Sequence, residues 1–173
     1  ETAFDSDNGR PNLVRRSGRF QRIFHLVVRT FFAIGVFLLG VQYLAVYGLP
    51  WTIAIAPSSI SPHTGYAYQG VEVRSPFDWL ALPSDSNDSP SASHSSLLEN
   101  GRPLGPPHTM HDEIGSFGQG RFSHWRSSVF FSASDNSDPR INGREYELQV
   151  RLFAPPIPLF VIFIFLLPLM AVV

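Results

Sequence analysis

The chain contains no cysteine. That absence removes disulfides, thiolate zinc sites and iron–sulfur clusters in one step. Any small domain it forms outside the cytoplasm must therefore hold its core without covalent staples. Lysine is missing too, so all thirteen basic residues are arginine, which we read as genomic base composition rather than function. Net charge is nearly absent: the formal value is −1. No global field draws such a chain to nucleic acid, and no nucleic-acid partner is expected. The GxSxG, SxxK and Walker sequences of common catalytic loops do not occur. The chain opens on Glu1 and stops inside an apolar run at Val173, the pattern of a fragment or a processed form.

What is present is unevenly spread. Apolar residues concentrate in two uncharged blocks, Thr30–Val71 and Leu152–Val173, on either side of a polar centre rich in turn formers. A bilayer-crossing helix needs about 20 apolar residues, and both blocks reach that length. The region between them has room for one small domain.

Residues 1–12 are polar with Gly9 and Pro11 as breakers, and are expected to form a flexible tail. In residues 13–29, Arg15, Arg19, Arg22 and Arg29 fall within about 80° of one another at 100° per residue, with apolar side chains on the other faces. Two readings remain open for this stretch. It is either a basic amphipathic segment lying at lipid headgroups or a charged, solvated extension of the helix that follows. Thr30–Leu49 is free of charge and, at about 30 Å as a helix, matches the hydrocarbon thickness. Tyr43, Tyr47 and Trp51 gather at its far end as an interfacial aromatic belt would. A cleavable signal peptide competes with this reading. Against it stand the length of the apolar run and the residues that precede it. Arginines cluster before the span and no charge follows it until Glu72, which by the positive-inside rule puts the N-terminus in the cytoplasm. Gln42 is its strongly polar side chain, available to another helix or to interfacial water. Gly35 and Gly40 are spaced five apart, not the four of GxxxG.

Beyond the span, prolines at 50, 57, 62 and 76 exclude a long helix. Thr64–Arg74 alternates as a strand or hairpin does. Residues 83–96 hold seven serines in fourteen positions and are expected to be a flexible loop. Within that loop Asn87-Asp88-Ser89 matches a glycosylation sequon, in a compartment that looks bacterial. Asn100-Gly101 marks a tight hairpin turn. A short helix from Thr109 or His111 to Phe117 would be ended by Gly118 and Gly120. Ser128–Ser134 and Glu145–Leu152 read as strands, joined by a loop of Asp, Asn, Ser, Pro and a second Asn-Gly. In residues 153–173, Pro155, Pro156 and Pro158 suit an entry turn and Pro168 would kink the interior, so this segment is read as transmembrane or re-entrant.

Few residue clusters carry chemistry. His108-x-x-His111 with Asp112 has metal-capable groups, since histidines three apart on a helix can share an ion. Pro107 suits a loop there, and histidines in small folds also donate to backbone carbonyls. Asp135, Asn136, Asp138 and Asn142 offer oxygen ligands without the spacing of an EF-hand, and Asx turns explain them as well. Gly115-x-x-Gly118-x-Gly120 reverses the dinucleotide fingerprint and is set aside. Arg121, His124, Trp125 and Arg144 could meet a saccharide, with the indole stacking on a sugar face and the guanidinium groups bonding hydroxyls. The competing reading packs Arg121, His124 and Trp125 inward as a structural cluster.

The segments Glu99-Asn100-Gly101-Arg102-Pro103-Leu104, His108-x-x-His111, Gly120-Arg121-Phe122-Ser123-His124-Trp125 and Asp135-x-Ser-Asp138-Pro-Arg-x-Asn142-Gly-Arg144-x-Tyr146 together resemble a recurrent bacterial sequence block. That block is associated with proteins of cell-envelope glycan synthesis, in sugar-transferase and methyltransferase contexts. The resemblance implies an envelope setting. It brings no catalytic residues, and the flanking apolar segments lie outside it.

The expected architecture is a membrane protein with two membrane-embedded helices flanking a small β-rich extracytoplasmic module, residues 50–152, with little helix. The expected role is a non-catalytic accessory or scaffold subunit of a larger bacterial membrane complex. The alternative is a membrane-anchored module that binds or helps process envelope saccharide. Expected partners are the lipid bilayer and other membrane-protein subunits, with envelope glycan under the alternative; no cofactor is expected. The expected location is the bacterial inner membrane, N-terminus cytoplasmic and module periplasmic.

Overall fold

Helix α1 is one uninterrupted element, Pro11–Tyr47. It was built in a computed structural model that describes residues 11–170, with the side chains of 21–70 and 72–165. The tail expected at 1–12 lies outside the described residues except for Pro11 and Asn12, which open α1. Proline is favoured at a helix start because its missing N–H would be unpaired there anyway. The chain divides into two compact units. One contains α1 as far as Gln42 and the segment from Pro156; the other is Tyr43–Pro155.

The apolar part of α1, Gln21–Tyr47, is 27 residues long, and its most apolar 18-residue window has mean hydropathy 2.0 and is only 11% buried. Large apolar side chains are exposed at Ile23, Phe24, Leu26 and Val27, then at Phe32, Ile34, Val36, Phe37 and Leu39. These positions occupy all of the helix surface but one stripe, the half-buried or buried line of Val28, Phe31, Gly35 and Leu38, and so wide an apolar surface is the pattern of a helix covered by lipid or by other helices. Among the described residues this is the one helix long and apolar enough to cross a membrane. Helix α3, Leu159–Met170, has 12 residues, or about 18 Å at 1.5 Å each, well short of a bilayer core. Among the described residues, the segment expected to be transmembrane or re-entrant therefore holds a short apolar helix and not a second membrane span. Within the first unit Gln42 Oε1 accepts a hydrogen bond from Ile157 N at 2.9 Å, so the polar group of the span is satisfied inside the chain. The rings of Phe31 and Phe165 lie 5.5 Å apart.

Helix α1 stops at Tyr47 because Gly48 takes φ +70° and its N–H caps Leu44 O at 3.1 Å, the usual left-handed glycine stop. Leu49, expected to close the helix, instead opens strand β1, Leu49–Ile55. The following proline disfavours the helical conformation at that position.

The second unit holds two four-stranded antiparallel sheets. The first orders β1, β8 (Tyr146–Leu152), β4 (Ser96–Glu99) and β5 (Arg102–Pro103). The second orders β2 (Ser61–Thr64), β3 (Ala67–Glu72), β7 (Ser128–Phe131) and β6 (Phe122–Trp125). Helix α2, His111–Phe117, packs on β2, β3 and β7.

Strand periodicity explains this layering. In β8, Tyr146, Leu148, Val150 and Leu152 are buried and alternate with more exposed residues. In β7, Phe131 and Val129 face the first sheet, where a Cβ on Gly70 would touch Val129, Phe131 and Ile55 together. Phe130 faces the other way, into a cluster with Ala67 and Ile114 beneath α2. The Asn100-Gly101 turn forms as read, with φ of 49° and 75° joining β4 to β5. Gly65 (φ +53°) turns β2 into β3 so closely beneath α2 that Tyr66 N bonds Gly115 O at 2.9 Å.

Candidate functional site

Three polar assemblies sit in the second unit. The first is built on the serine-rich stretch 83–96. It lacks long regular elements, as a loop should, but it is tied down at Asp85, which is completely buried. The Asp85 carboxylate accepts from Ser93 N at 2.9 Å and Ser123 Oγ at 3.2 Å, and both its oxygens lie 3.0 Å from His108 Nδ1. Its backbone bridges the outer edge of β6 through His124 O and Arg126 N. Satisfying a buried carboxylate in this way is what makes its burial tolerable. His108 adopts φ 57°, outside any helix, so the pair His108 and His111 does not share one helical face. Among the described residues no group of three or more histidine, aspartate or glutamate side chains is placed to hold a metal ion.

The second assembly centres on Glu99 and Arg144. Glu99 accepts from Arg144 at 3.0 Å, from Tyr146 OH at 2.9 Å and from Ser134 Oγ. Arg144 also reaches Asp135 at 3.0 and 2.5 Å. Burial pushes the Glu99 carboxyl up, but the bonds from Ser134, Arg144 and Tyr146 together outweigh it and hold the group below the usual range. Asp135 is held well below its ordinary value by Ser137 first and Arg144 next. Burial pushes the Tyr146 hydroxyl up to about 12, so it remains a donor. The loop below this network is a run of Asx turns. Asp135, Asp138 and Asn142 accept from Ser137 N, Arg140 N and Arg144 N at 3.1, 2.9 and 3.1 Å. Side-chain oxygens bonding backbone two residues on is the mechanism by which these residues favour turns.

The third is a shallow cavity of about 230 Å³ lined by Asn87, Met110, His111, Asp112 and Trp125. Trp125 forms one wall from the end of β6 and packs behind onto Ala67, Ile114 and Phe130. The His111 ring stacks 3.9 Å from Phe130 and stands 5.2 Å from Trp125. Burial lowers the His111 pKa, with neighbouring His63 acting in the same direction. Its Nε2 is buried without a partner.

The four candidate saccharide contacts are therefore divided, not gathered in one cleft. Trp125 lines this cavity. His124, its chain neighbour, points to the opposite face of β6 and is fully buried between the sheets, with neither ring nitrogen hydrogen-bonded among the described residues. Burial lowers its pKa, opposed in part by Asp85. Arg121 lies 5.5 Å above the Phe117 ring and donates to Gly118 O at 2.9 Å. Arg144 belongs to the Glu99 network. The physical reason is the period of two: residues 124 and 125 of one strand must face opposite sides. The membrane-surface arginines Arg22 and Arg29 are exposed on α1, where they line a shallow surface depression with His25 and Leu26. The side chains of Arg15 and Arg19 lie outside the described residues.

Asp85 escaped the sequence reading, Asn87 was noted there only as part of a sequon, and Glu99 only as part of the resembling block. Asp85 and Asn87 lie in a stretch whose composition argues only for a loop, and Glu99 looks like one more turn-flanking charge. No family model, curated protein or solved structure matches the chain.

Proposed function

We propose that the protein is a non-catalytic accessory subunit of a bacterial membrane assembly, anchored by α1 and presenting the β-rich module outside the cytoplasm. The observation that carries this reading is α1 itself, whose large apolar side chains are exposed between Ile23 and Tyr47 on every face but the stripe through Val28, Phe31, Gly35 and Leu38. Such a surface calls for lipid and neighbouring helices. The strongest charged groups of the module support a scaffold role: Glu99, Arg144 and Asp135 bind one another and hold loops in place. Purification in mild detergent followed by mass spectrometry tests it. Co-purification of defined membrane subunits is expected, and a monodisperse solitary monomer would overturn the proposal.

A second reading has its own observation. The Trp125 wall stands beside Asn87, His111 and Asp112 in an open cavity, and aromatic faces flanked by hydrogen-bonding groups suit sugar rings. Under this reading the module binds envelope saccharide, in keeping with the glycan-synthesis block it resembles. Trp125→Ala should abolish retention of envelope glycan by the folded protein; unchanged retention removes this reading.

A further inference from the structure

On the inner face of β1, Ile55, opposite Tyr146, is 4% exposed, whereas Trp51, opposite Val150, is 39% exposed. The Trp51 ring is thus left partly uncovered near the end where the chain enters the module. The same end receives residues distant in sequence. Ala81 and Phe153 exchange two backbone hydrogen bonds of 2.8 Å, just beyond the Leu49–Leu152 pair that closes the β1–β8 ladder. This bridge brings the turn Ser75–Leu80 to the same end of the module. Leu80 is buried and its N–H bonds Phe77 O at 3.0 Å, which leaves Phe77 and Trp79 pointing outward at 43% and 54% exposure. The Phe77 ring meets Trp51 edge-on at 6.3 Å. Tyr43 and Tyr47, with ring centroids 4.6 Å apart and both exposed, precede Trp51 on the last turns of α1.

We infer that Trp51, Phe77 and Trp79 form a docking surface for the lipid headgroup region, so that the module sits on the membrane as well as being tethered to it. This rests on the membrane-anchor reading of α1. Lipid is favoured over a protein partner for two reasons. Tryptophan and tyrosine, whose amphipathic rings favour the headgroup level, make up most of the surface. Its residues also lie close to the points where the chain leaves the module for its two apolar segments, Trp51 three residues after Gly48 and Trp79 two residues before Ala81, whose backbone bonds Phe153 next to the Pro155 exit.

The chain has three tryptophans, which makes the test direct. Two variants are placed in phosphatidylcholine vesicles with bromine on the upper acyl carbons. One, Trp51→Phe with Trp125→Phe, keeps Trp79; the other, Trp51→Phe with Trp79→Phe, keeps Trp125. Both must retain the far-ultraviolet circular dichroism of the parent. The Trp79 emission is expected to fall by about half or more, as for a ring at headgroup depth, while Trp125 emission is unchanged. If the protein floats with the vesicles but Trp79 is not quenched, the docking surface is wrong and the anchor stands. Trp79 shielded from aqueous acrylamide yet unquenched by bromine would assign the surface to a second copy or another protein, and also overturns the inference. If the protein fails to float at all, the anchor reading and the docking surface fall together.

Discussion

Phe131 and Tyr146 face each other across the two sheets, ring centroids 5.1 Å apart and inclined at 51°. Through this pair the apolar core meets the polar network, because the Tyr146 hydroxyl donates to Glu99 and accepts from Asn142, each at 2.9 Å. One side chain thus serves both halves of the module.

The two partners should fail differently when altered. Phe131→Ala empties a site with no solvent exposure and is expected to cost about 3–5 kcal/mol. Tyr146→Phe keeps the ring and loses only the hydroxyl bonds, at about 1–2 kcal/mol. Denaturant unfolding of the detergent-solubilised chain, followed by near-ultraviolet circular dichroism, measures both. Equal losses would mean that the hydroxyl, not the ring, dominates this contact.

Much of this module was legible from residue order because its signals are local. Asn100-Gly101 dictates a turn, alternating apolar residues dictate β8, and the Asp/Asn spacing of 135–142 dictates Asx turns. The site was less legible because it depends on which strands become neighbours. Nothing local tells that Asp85 will be drawn under His108, twenty-three residues away. Nor does composition say that His124 and Trp125 will be separated by a sheet; that follows only once both faces of β6 are known to be covered. The helix boundary was missed by two residues, since Leu49 suits an apolar helix and a strand equally until Gly48 takes its positive φ.

Close approach of α2 to the β2–β3 turn makes a second test. A Cβ at Gly65 would overlap the Gly115 carbonyl, and Gly65 has φ +53°. Gly101 has φ +75° with nothing within 4 Å of its Cβ position. Gly101→Ala is expected to cost about 1 kcal/mol from backbone strain alone. Gly65→Ala adds a clash with backbone that cannot rotate away, and should cost about 3 kcal/mol or more. Similar melting temperatures for the two variants would contradict the packing of α2.

Stability should fall in two stages as pH drops. Burial holds the pKa values of His111 and His124 in the folded chain below the ordinary imidazole value of 6.5. The unfolded chain then binds protons first, so stability is present above that pH and declines as the pH falls below it. Hydrogen bonds hold Glu99 and Asp135 below the ordinary carboxyl values of 4.5 and 3.8. Their contribution persists further down and is lost as pH falls through the folded values. Melting curves between pH 8 and 3 (about five points suffice to separate the stages) should show both declines, and His124→Gln should weaken the first. A profile flat from pH 8 to 5 would show that these imidazoles are not held neutral by burial.

The orientation we propose for the module rests on charge on the two sides of α1. Arg15, Arg16, Arg19, Arg22 and Arg29 precede or enter the apolar helix, whereas no charged residue appears after it until Glu72. Positive charge is retained on the cytoplasmic side, so the module is expected on the opposite side. Because the chain has no cysteine, a single introduced thiol reports without background. Ser91 is exposed in the turn that follows Pro90, away from the anchored Asp85 and Ser93. In intact cells with a permeable outer layer, Ser91→Cys should react with a membrane-impermeant maleimide. Labelling that appears only after the inner membrane is lysed would place the module in the cytoplasm and reverse the orientation. It would also remove the envelope-saccharide reading, since that ligand lies on the other side of the bilayer.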